Sequence, residues 1–548
     1  MRSDRRRAGA AAQGLTPLPG LTPPKRLSTL RGLTPLQGPT ALRGVAMLVL
    51  LALAPAARAI PLPCARLLDA KLPDTRIVQA QDVAPDPLWK YPPSLFTQFN
   101  RSGSQGVQQP FCRVVAVIGK EIHVELWLPV KWNGKFEGVG NGGFTGAINY
   151  PAMGSALAQG YATASTDTGH VTEHGFFEDD WIAGHPQRVV DFAYRAHHLM
   201  AQMGKKLTAA YYGRSIDRSY YSGCSSGGWQ GLSEAQRYPD DYDGIVAGAP
   251  AINVVQLQSR GILLAQMALR DPAGNLGREE GQLLVEAAVR KCDARDGVAD
   301  GVIDDPRHCD FDPAELVCAP GQSQHCLTPA QVTRARSLYG PATTAGGLQL
   351  YPGAAPGSEP LEFLPAAGVE PGHTQMALML QHKPDWSVAD FDPDRHIPVL
   401  EHELGALLDT TNPDLSRFRA HGGKLILYHG WADPLLSPYN TIDYYESVVQ
   451  AMGEQQAEGF LRLFMLPGME HCGGGAGPGE FDAVAALSQW VEHGVEPQQI
   501  VAAHRSDGRI DRTRPLCPYP QLARYKGQGS RDEAASFVCE AQPLSVTH

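Results

Sequence analysis

The pentapeptide Gly223-Cys224-Ser225-Ser226-Gly227 carries the strongest chemical signal in the 548-residue sequence. It has the form G-x-S-x-G and lies between a short β-like run, Ser219 to Ser222, and a helix-compatible run holding Trp229, Leu232 and Ala235. That context predicts a strand–turn–helix elbow, with the serine exposed at the end of a sheet above a helix N-terminus. A neutral serine is a weak nucleophile and needs a base and an orienting carboxylate. Two downstream loops supply them in order. Lys424 to Tyr428 (KLILY) reads as a buried strand and leads through His429 to Asp433; Leu461 to Leu466 (LRLFML) reads likewise and leads to His471. Asp433 and His471 are therefore expected at consecutive strand ends, while His429 reads as a structural histidine. An acyl-transfer oxyanion requires two N–H donors. Ser226, after the nucleophile, is expected to give one, and Gly140, in the turn Gly138-Val139-Gly140-Asn141-Gly142-Gly143, the other.

The elements that must position these groups alternate. Ile122 to Leu128 and Tyr161 to Thr166 have strand patterns, residues 136–146 read as a glycine-rich turn, and Arg188 to Met203 has helical spacing. Ile245 to Ala247 is a further apolar run, and Phe481, Val484, Leu487 and Val491 share one helical face. Alternating strands and helices predict an α/β protein with a mostly parallel sheet, here an α/β-hydrolase fold. Residues 251–420 lack that alternation and hold four cysteines, so they are expected to form a large inserted lid domain between core segments 60–250 and 421–548.

Ten cysteines without zinc spacing suggest disulfides and an oxidising compartment. Cys224 precedes the serine and Cys472 follows the histidine, so a working triad would bring their Cα atoms to about 5–6 Å, within disulfide reach. The alternatives are pairing elsewhere or Cys224 itself as nucleophile, which the compartment and the motif register disfavour. Arg43, the apolar run Val45 to Leu53 and Ala57-Arg58-Ala59 read as a secretory signal cut after Ala59, preceded by an atypical extension; residues 1–59 are set aside. The mature chain is expected to be secreted or periplasmic. With 43% apolar residues, a net charge of -10 and no long basic run beyond the extreme N-terminus, the composition is globular and argues against nucleic acid. No other stretch is apolar enough to span a membrane.

A second constellation runs from Cys292 to Val302 (CDARDGVADGV). Carboxylates of Asp293, Asp296 and Asp300, with carbonyls of Val298 and Val302, would suit a hard cation such as Ca2+. The spacing is not that of an EF-hand, and a solvated acidic turn is the plain alternative.

These residues resemble the tannases and feruloyl esterases, a family that includes mono-hydroxyethyl terephthalate hydrolases. The resemblance spans about 64–540 and rests on GCSSGG at 223–228, YDGIVAGAPA at 242–251, CDARDGVADGVIDD at 292–305, GGKLILYHGWADPL at 422–435, PGMEHCGGG at 467–475 and RPLCPYPQLARYKG at 514–527. It implies that Cys224–Cys472 is the disulfide beside the active site, with Cys64–Cys112, Cys292–Cys309, Cys318–Cys326 and Cys517–Cys539 pairing locally. It also implies structural calcium in the acidic loop, a lid that sets acyl selectivity, and a small ester of a hydroxylated aromatic acid, feruloyl or galloyl, as substrate. The chain departs from the terephthalate branch: Ser226 stands where that branch has glutamate, and no arginine occurs between Arg336 and Arg395, with Lys383 or His382 as candidates to meet a substrate carboxylate instead. Terephthalate monoesters, or the substrates of a lipase or peptidase, are the alternatives.

Overall fold

Nine strands build the main sheet of the computed structural model, which describes residues 61–99, 107–172, 175, 181–182, 184–344, 346–359 and 388–541. They are β1 (Thr75–Val83), β2 (Phe111–Ile118), β3 (Ile122–Pro129), β4 (Lys135–Val139), β5 (Ala162–Thr166), β6 (Arg218–Cys224), β7 (Gly244–Gly248), β10 (Lys424–Gly430) and β11 (Leu461–Leu466), with a small hairpin, β8 (Ala342–Thr343) and β9 (Gln349–Tyr351), between β7 and β10. The order is β1-β2-β3-β5-β4-β6-β7-β10-β11. The first three strands and β5 pair antiparallel, and from β5 onward every pairing is parallel. Residues 1–59, read from the sequence as a signal with an extension, lie outside the described residues.

The parallel strands are apolar on both faces because helices cover both. Adjacent residues of β6 divide between two cores. Tyr221 packs with Ile245, Leu427 and Leu463 on the side of the Ala196–Tyr212 and Ser226–Arg237 helices. Tyr220 packs with Val246, Ile426 and Phe464 against Leu487 and Trp490 of the Ala483–His493 helix. This is an α/β-hydrolase fold with a helical insertion.

The insertion separates β7 from β10, which nevertheless pair in register from Lys424↔Gly244 to Tyr428↔Gly248. It contains the helices Val254–Arg270, Arg278–Cys292 and Pro329–Tyr339, and it has its own core around Leu284, Ala288, Leu327 and Leu338. Lys383 and His382 fall outside the described residues. All ten cysteines are paired, as Cys64–Cys112, Cys224–Cys472, Cys292–Cys309, Cys318–Cys326 and Cys517–Cys539. The chain ends in two hairpins, β12 (Ile500–Ser506) with β13 (Arg509–Leu516) and β14 (Gln521–Tyr525) with β15 (Phe537–Ala541).

One segment differs from the sequence reading. The first residues of the glycine-rich stretch 136–146 are not turn but strand β4, in the middle of the sheet. Glycine is there for packing: a Cβ on Gly138 would stand 2.4 Å from Tyr242 Oη.

Candidate active site

Ser225 sits where β6 ends and the Ser226–Arg237 helix begins, with φ 64° and ψ -124°. Few side chains tolerate that backbone, and it persists because its surroundings fix it. Ser225 N–H donates to Gly248 O at the end of β7 (2.9 Å), and Ser225 O receives Trp229 N–H (3.0 Å). The flanking glycines permit the crowding: Cβ atoms on Gly223, Gly227 and Gly228 would lie 2.5, 2.7 and 2.3 Å from backbone atoms of Gly227, Asn141 and Gly248.

Asp433 and His471 come from the loops after β10 and β11. The Asp433 carboxylate is 2% exposed. Its Oδ1 accepts the N–H groups of Leu435 (2.8 Å) and Leu436 (3.0 Å), which fixes the plane of the group. Its Oδ2 accepts from His471 Nδ1 at 2.7 Å. Burial pushes this carboxyl's pKa up, but the imidazoles of His471 and His429 outweigh it and hold the group well below the usual carboxylate range. His429 is wholly buried and turns out to touch the same oxygen, Nε2 to Asp433 Oδ2 at 3.0 Å. Its Nε2 faces two acceptors, Asp433 Oδ2 and Leu436 O, while Nδ1 meets the Thr441 hydroxyl at 2.7 Å, so the proton belongs on Nε2. Sequence gave no sign of this second imidazole on Asp433, because the turn from His429 to Asp433 is set by the β10 end.

The Cys224–Cys472 disulfide, with Cα atoms 5.8 Å apart, ties the serine turn to the histidine loop. Ser225 and His471 both line one cavity of about 860 Å3, with Gly140, Asn141, Gly142 and Gly143.

Gly140 does not serve as the structure's spare donor. Its N–H extends the sheet ladder to Ser222 O (2.9 Å), and the Asn141 N–H goes to Gln230 Oε1 (3.0 Å). Gly140 is glycine because a Cβ there would lie 2.6 Å from Gly227 Cα. The N–H groups of Gly142, Gly143 and Ser226 have no acceptor among the described residues. Polar contacts hold this loop in place. Asn141 Nδ2 donates to Ala147 O and Thr166 O, and its Oδ1 accepts from His197 Nε2 at 3.0 Å. Burial pushes His197 down to about 3, so this imidazole is neutral. Asn149 Nδ2 donates to Gly140 O (2.8 Å), and the Ser226 hydroxyl donates to Gly143 O (2.6 Å).

Comparison with known proteins bears on this geometry. The family model described as tannase and feruloyl esterase matches residues 105–385 and 379–540. The chain belongs to that family. An uncharacterized esterase of Xanthomonas campestris is 36% identical over 538 residues, covering 88% of this chain and 91% of its own. The mono(2-hydroxyethyl) terephthalate hydrolase of Piscinibacter sakaiensis is 35% identical, covering 77% and 82%. The crystal structure of feruloyl esterase B from Aspergillus oryzae superposes with a TM-score of 0.78 at 29% identity, over 87% of this chain and 99% of that one. The protein is thus a carboxylic ester hydrolase of the tannase and feruloyl esterase type.

In this esterase the acidic loop closes mainly on itself. Asp293 accepts Asp300 N–H and Gly301 N–H (both 3.0 Å), and Asp296 accepts Val298 N–H (2.9 Å). Asp300 is met by Arg514 from β13. Asp304, absent from the sequence-based donor set although it stands in the same acidic run, makes side-chain contact with Asp296. Among the described residues, the group with ligand atoms within 4.8 Å of one another lies elsewhere: His198, Glu234 and Asp241 can together hold a metal ion. Lys205 Nζ, 3.3 Å from Asp241 Oδ1, already brings positive charge to that cluster. No described helix is long and apolar enough to cross a membrane.

Proposed function

We propose that this protein is a secreted or periplasmic serine esterase that hydrolyses esters of hydroxylated aromatic acids, feruloyl or galloyl, through an acyl-enzyme. The observation that carries the reading is the shared Asp433 Oδ2–His471 Nδ1 contact beside a serine turn bonded covalently to the histidine loop. His471 takes the Ser225 proton as Oγ attacks the ester carbonyl, and Asp433 orients the ring and stabilises the imidazolium. The oxyanion is received by the N–H of Ser226 and by the free N–H groups of Gly142 and Gly143. His471 then protonates the leaving alcohol, and water repeats the sequence to release the acid. Relatives that bear the name feruloyl esterase B support the acyl class. Five disulfides and the leader-like segment before Ile60 support export.

Calcium in the acidic loop is part of this reading. The donors are all hard oxygens, and the touching carboxyls of Asp296 and Asp304 require a proton or a cation between them. Asp293, Asp296, Asp300 and Asp304, with carbonyls of Val298 and Val302, would hold the ion and fix the insertion's loop.

Hydrolysis of methyl ferulate, methyl gallate, mono(2-hydroxyethyl) terephthalate and a long-chain nitrophenyl ester tests the function. Wild type should cleave an aromatic-acid methyl ester, and Ser225→Ala should lose at least ~10^4-fold in kcat. Preference for the terephthalate ester would move the chain to the branch its 35% identical relative represents. Undiminished turnover by Ser225→Ala would refute the nucleophile.

A further inference from the structure

Toward the far end of the helix that begins after Ser225, side chains from three elements meet. His198 belongs to the Ala196–Tyr212 helix, Glu234 to the Ser226–Arg237 helix, and Asp241 to the loop before β7. Their nitrogen and oxygen ligand atoms lie within 4.8 Å of one another. Glu234 stands about two and a half helical turns along from Ser225, so the cluster is separate from the triad. His198 Nδ1 is 2.5 Å from Asp241 Oδ2. The imidazole lies flat on the Tyr238 ring, centroids 3.7 Å apart at 11°, and its Nε2 meets the Gln202 amide at 3.0 Å. Glu234 is 1% exposed and lies against the Asp241 carboxyl. Its Oε2 has no hydrogen-bond partner among the described residues.

We propose that His198, Glu234 and Asp241 form a binding site for a zinc-like divalent cation, which pins the nucleophile's helix to its neighbour and to the start of β7. The proposal is independent of which ester the enzyme cleaves. A carboxylate sealed from water without a donor needs a cation or a proton beside it. A proton shared by Glu234 and Asp241 would answer the two acids alone. The imidazole converging on the same point selects a softer ion: one ring nitrogen and two carboxylate oxygens suit zinc, whereas calcium takes oxygens only. A tetrahedral ion with bonds of about 2.0–2.1 Å holds its ligand atoms about 3.4 Å apart, so the His198–Asp241 contact opens and Glu234 closes in. Binding at Nδ1 moves the ring proton to Nε2, where Gln202, its amide turned over, accepts it; that is the support a zinc-bound histidine ordinarily has. Lys205 opposes the ion, with Nζ 3.3 Å from Asp241 Oδ1, but it also donates to Asp241 O and keeps that acceptor. The His198 side chain is 20% exposed, so the ion has a way in and water can be its fourth ligand.

Calorimetric titration of zinc chloride into the full chain tests this, with calcium in excess to fill the acidic loop. Wild type should take up one zinc ion per chain, and its Tm should rise as the ion binds. Glu234→Gln keeps the shape of the neutral acid; it should weaken binding by at least ~100-fold and lose the rise in Tm. Lys205→Met removes the opposing charge and should tighten binding by about tenfold. Cobalt(II) reports the ligands: wild type should develop the strong visible absorption of a four-coordinate ion, and neither Glu234→Gln nor His198→Gln should. A wild type that takes up no zinc leaves the two carboxyls to a shared proton and overturns the site. Uptake that neither Glu234→Gln nor His198→Gln weakens places the ion elsewhere and overturns it equally. Weaker binding by Lys205→Met contradicts the opposing role of that lysine and overturns the geometry. Should Glu234→Gln fail to fold, His198→Gln, at the edge of the cluster, and the cobalt spectrum carry the test.

Discussion

Asp433 and Asp293 each accept two backbone N–H groups, Asp433 from Leu435 and Leu436 and Asp293 from the more distant Asp300 and Gly301, and they end in different chemistry. In Asp433 one oxygen takes both donors, leaving Oδ2 for two imidazoles that arrive from β10 and the β11 loop. In Asp293 each oxygen takes one donor, and the neighbouring acids Asp296, Asp300 and Asp304 bring more negative charge than Arg514 can balance. What reaches the remaining lone pairs differs as well. Two imidazoles make Asp433 an orienting group, whereas the acids around Asp293 gather in one loop, where the proposed cation would sit.

The largest way to test that contrast is Asp433→Asn. With Oδ2 replaced by an amide or the imidazole turned to the wrong tautomer, kcat should fall by about 10^4-fold with KM little changed. Steady-state kinetics reads this, and a loss below tenfold would show that Asp433 does not orient His471 for catalysis. Asp293→Asn should leave kcat nearly unchanged.

Crosslinks offer the next step. Cys224–Cys472 closes a span of 248 residues and Cys292–Cys309 one of 17. Replacing both cysteines by alanine should cost about 5–6 kcal/mol for the first pair and about 3 kcal/mol for the second, by the chain-entropy argument. Only the first should also lower kcat. Urea unfolding and turnover of the two double variants separate the effects.

Glu137 sharpens the active-site half. Burial pushes its carboxyl up to about 7, only partly offset by the Ser222 hydroxyl. A folded pKa above the unfolded value of about 4.3 means stability falls as pH rises from about 4 to about 7, by about 3 kcal/mol. Glu137→Gln removes that loss. Its unfolding free energy should match wild type near pH 4 and exceed it at pH 8; parallel curves would show that Glu137 ionises freely in the fold.

The smallest expected effect concerns the acidic loop. Calcium at a hundredfold excess over its Kd stabilises by about 2.7 kcal/mol, so EDTA should lower the Tm and calcium restore it. Asp296→Asn should make the Tm insensitive to both. A wild-type Tm that ignores chelation assigns the loop to a solvated turn.

Much of this was legible because it was local. The runs at Lys424 and Leu461 are apolar enough to be parallel strands, and they are β10 and β11. The G-x-S-x-G motif needs a sharp turn, and Ser225 adopts one at φ 64°. Strand β4 was hidden, since Gly138 and Gly140 weaken a strand pattern, and here their lack of a side chain makes room for Tyr242 and Gly227.

The sequence by itself determined the order serine, aspartate, histidine, the cysteines flanking the first and last, and the strands that carry them, because each depends on neighbours along the chain. Only the tertiary structure decided which N–H groups stay free, that two imidazoles share Asp433, and that Asp304 meets Asp296. Those outcomes depend on which lone pairs and donors face one another across residues far apart in the chain, and one ladder bond, Gly140 N–H to Ser222 O, is enough to take Gly140 out of the free donors of this loop and leave Gly142 and Gly143.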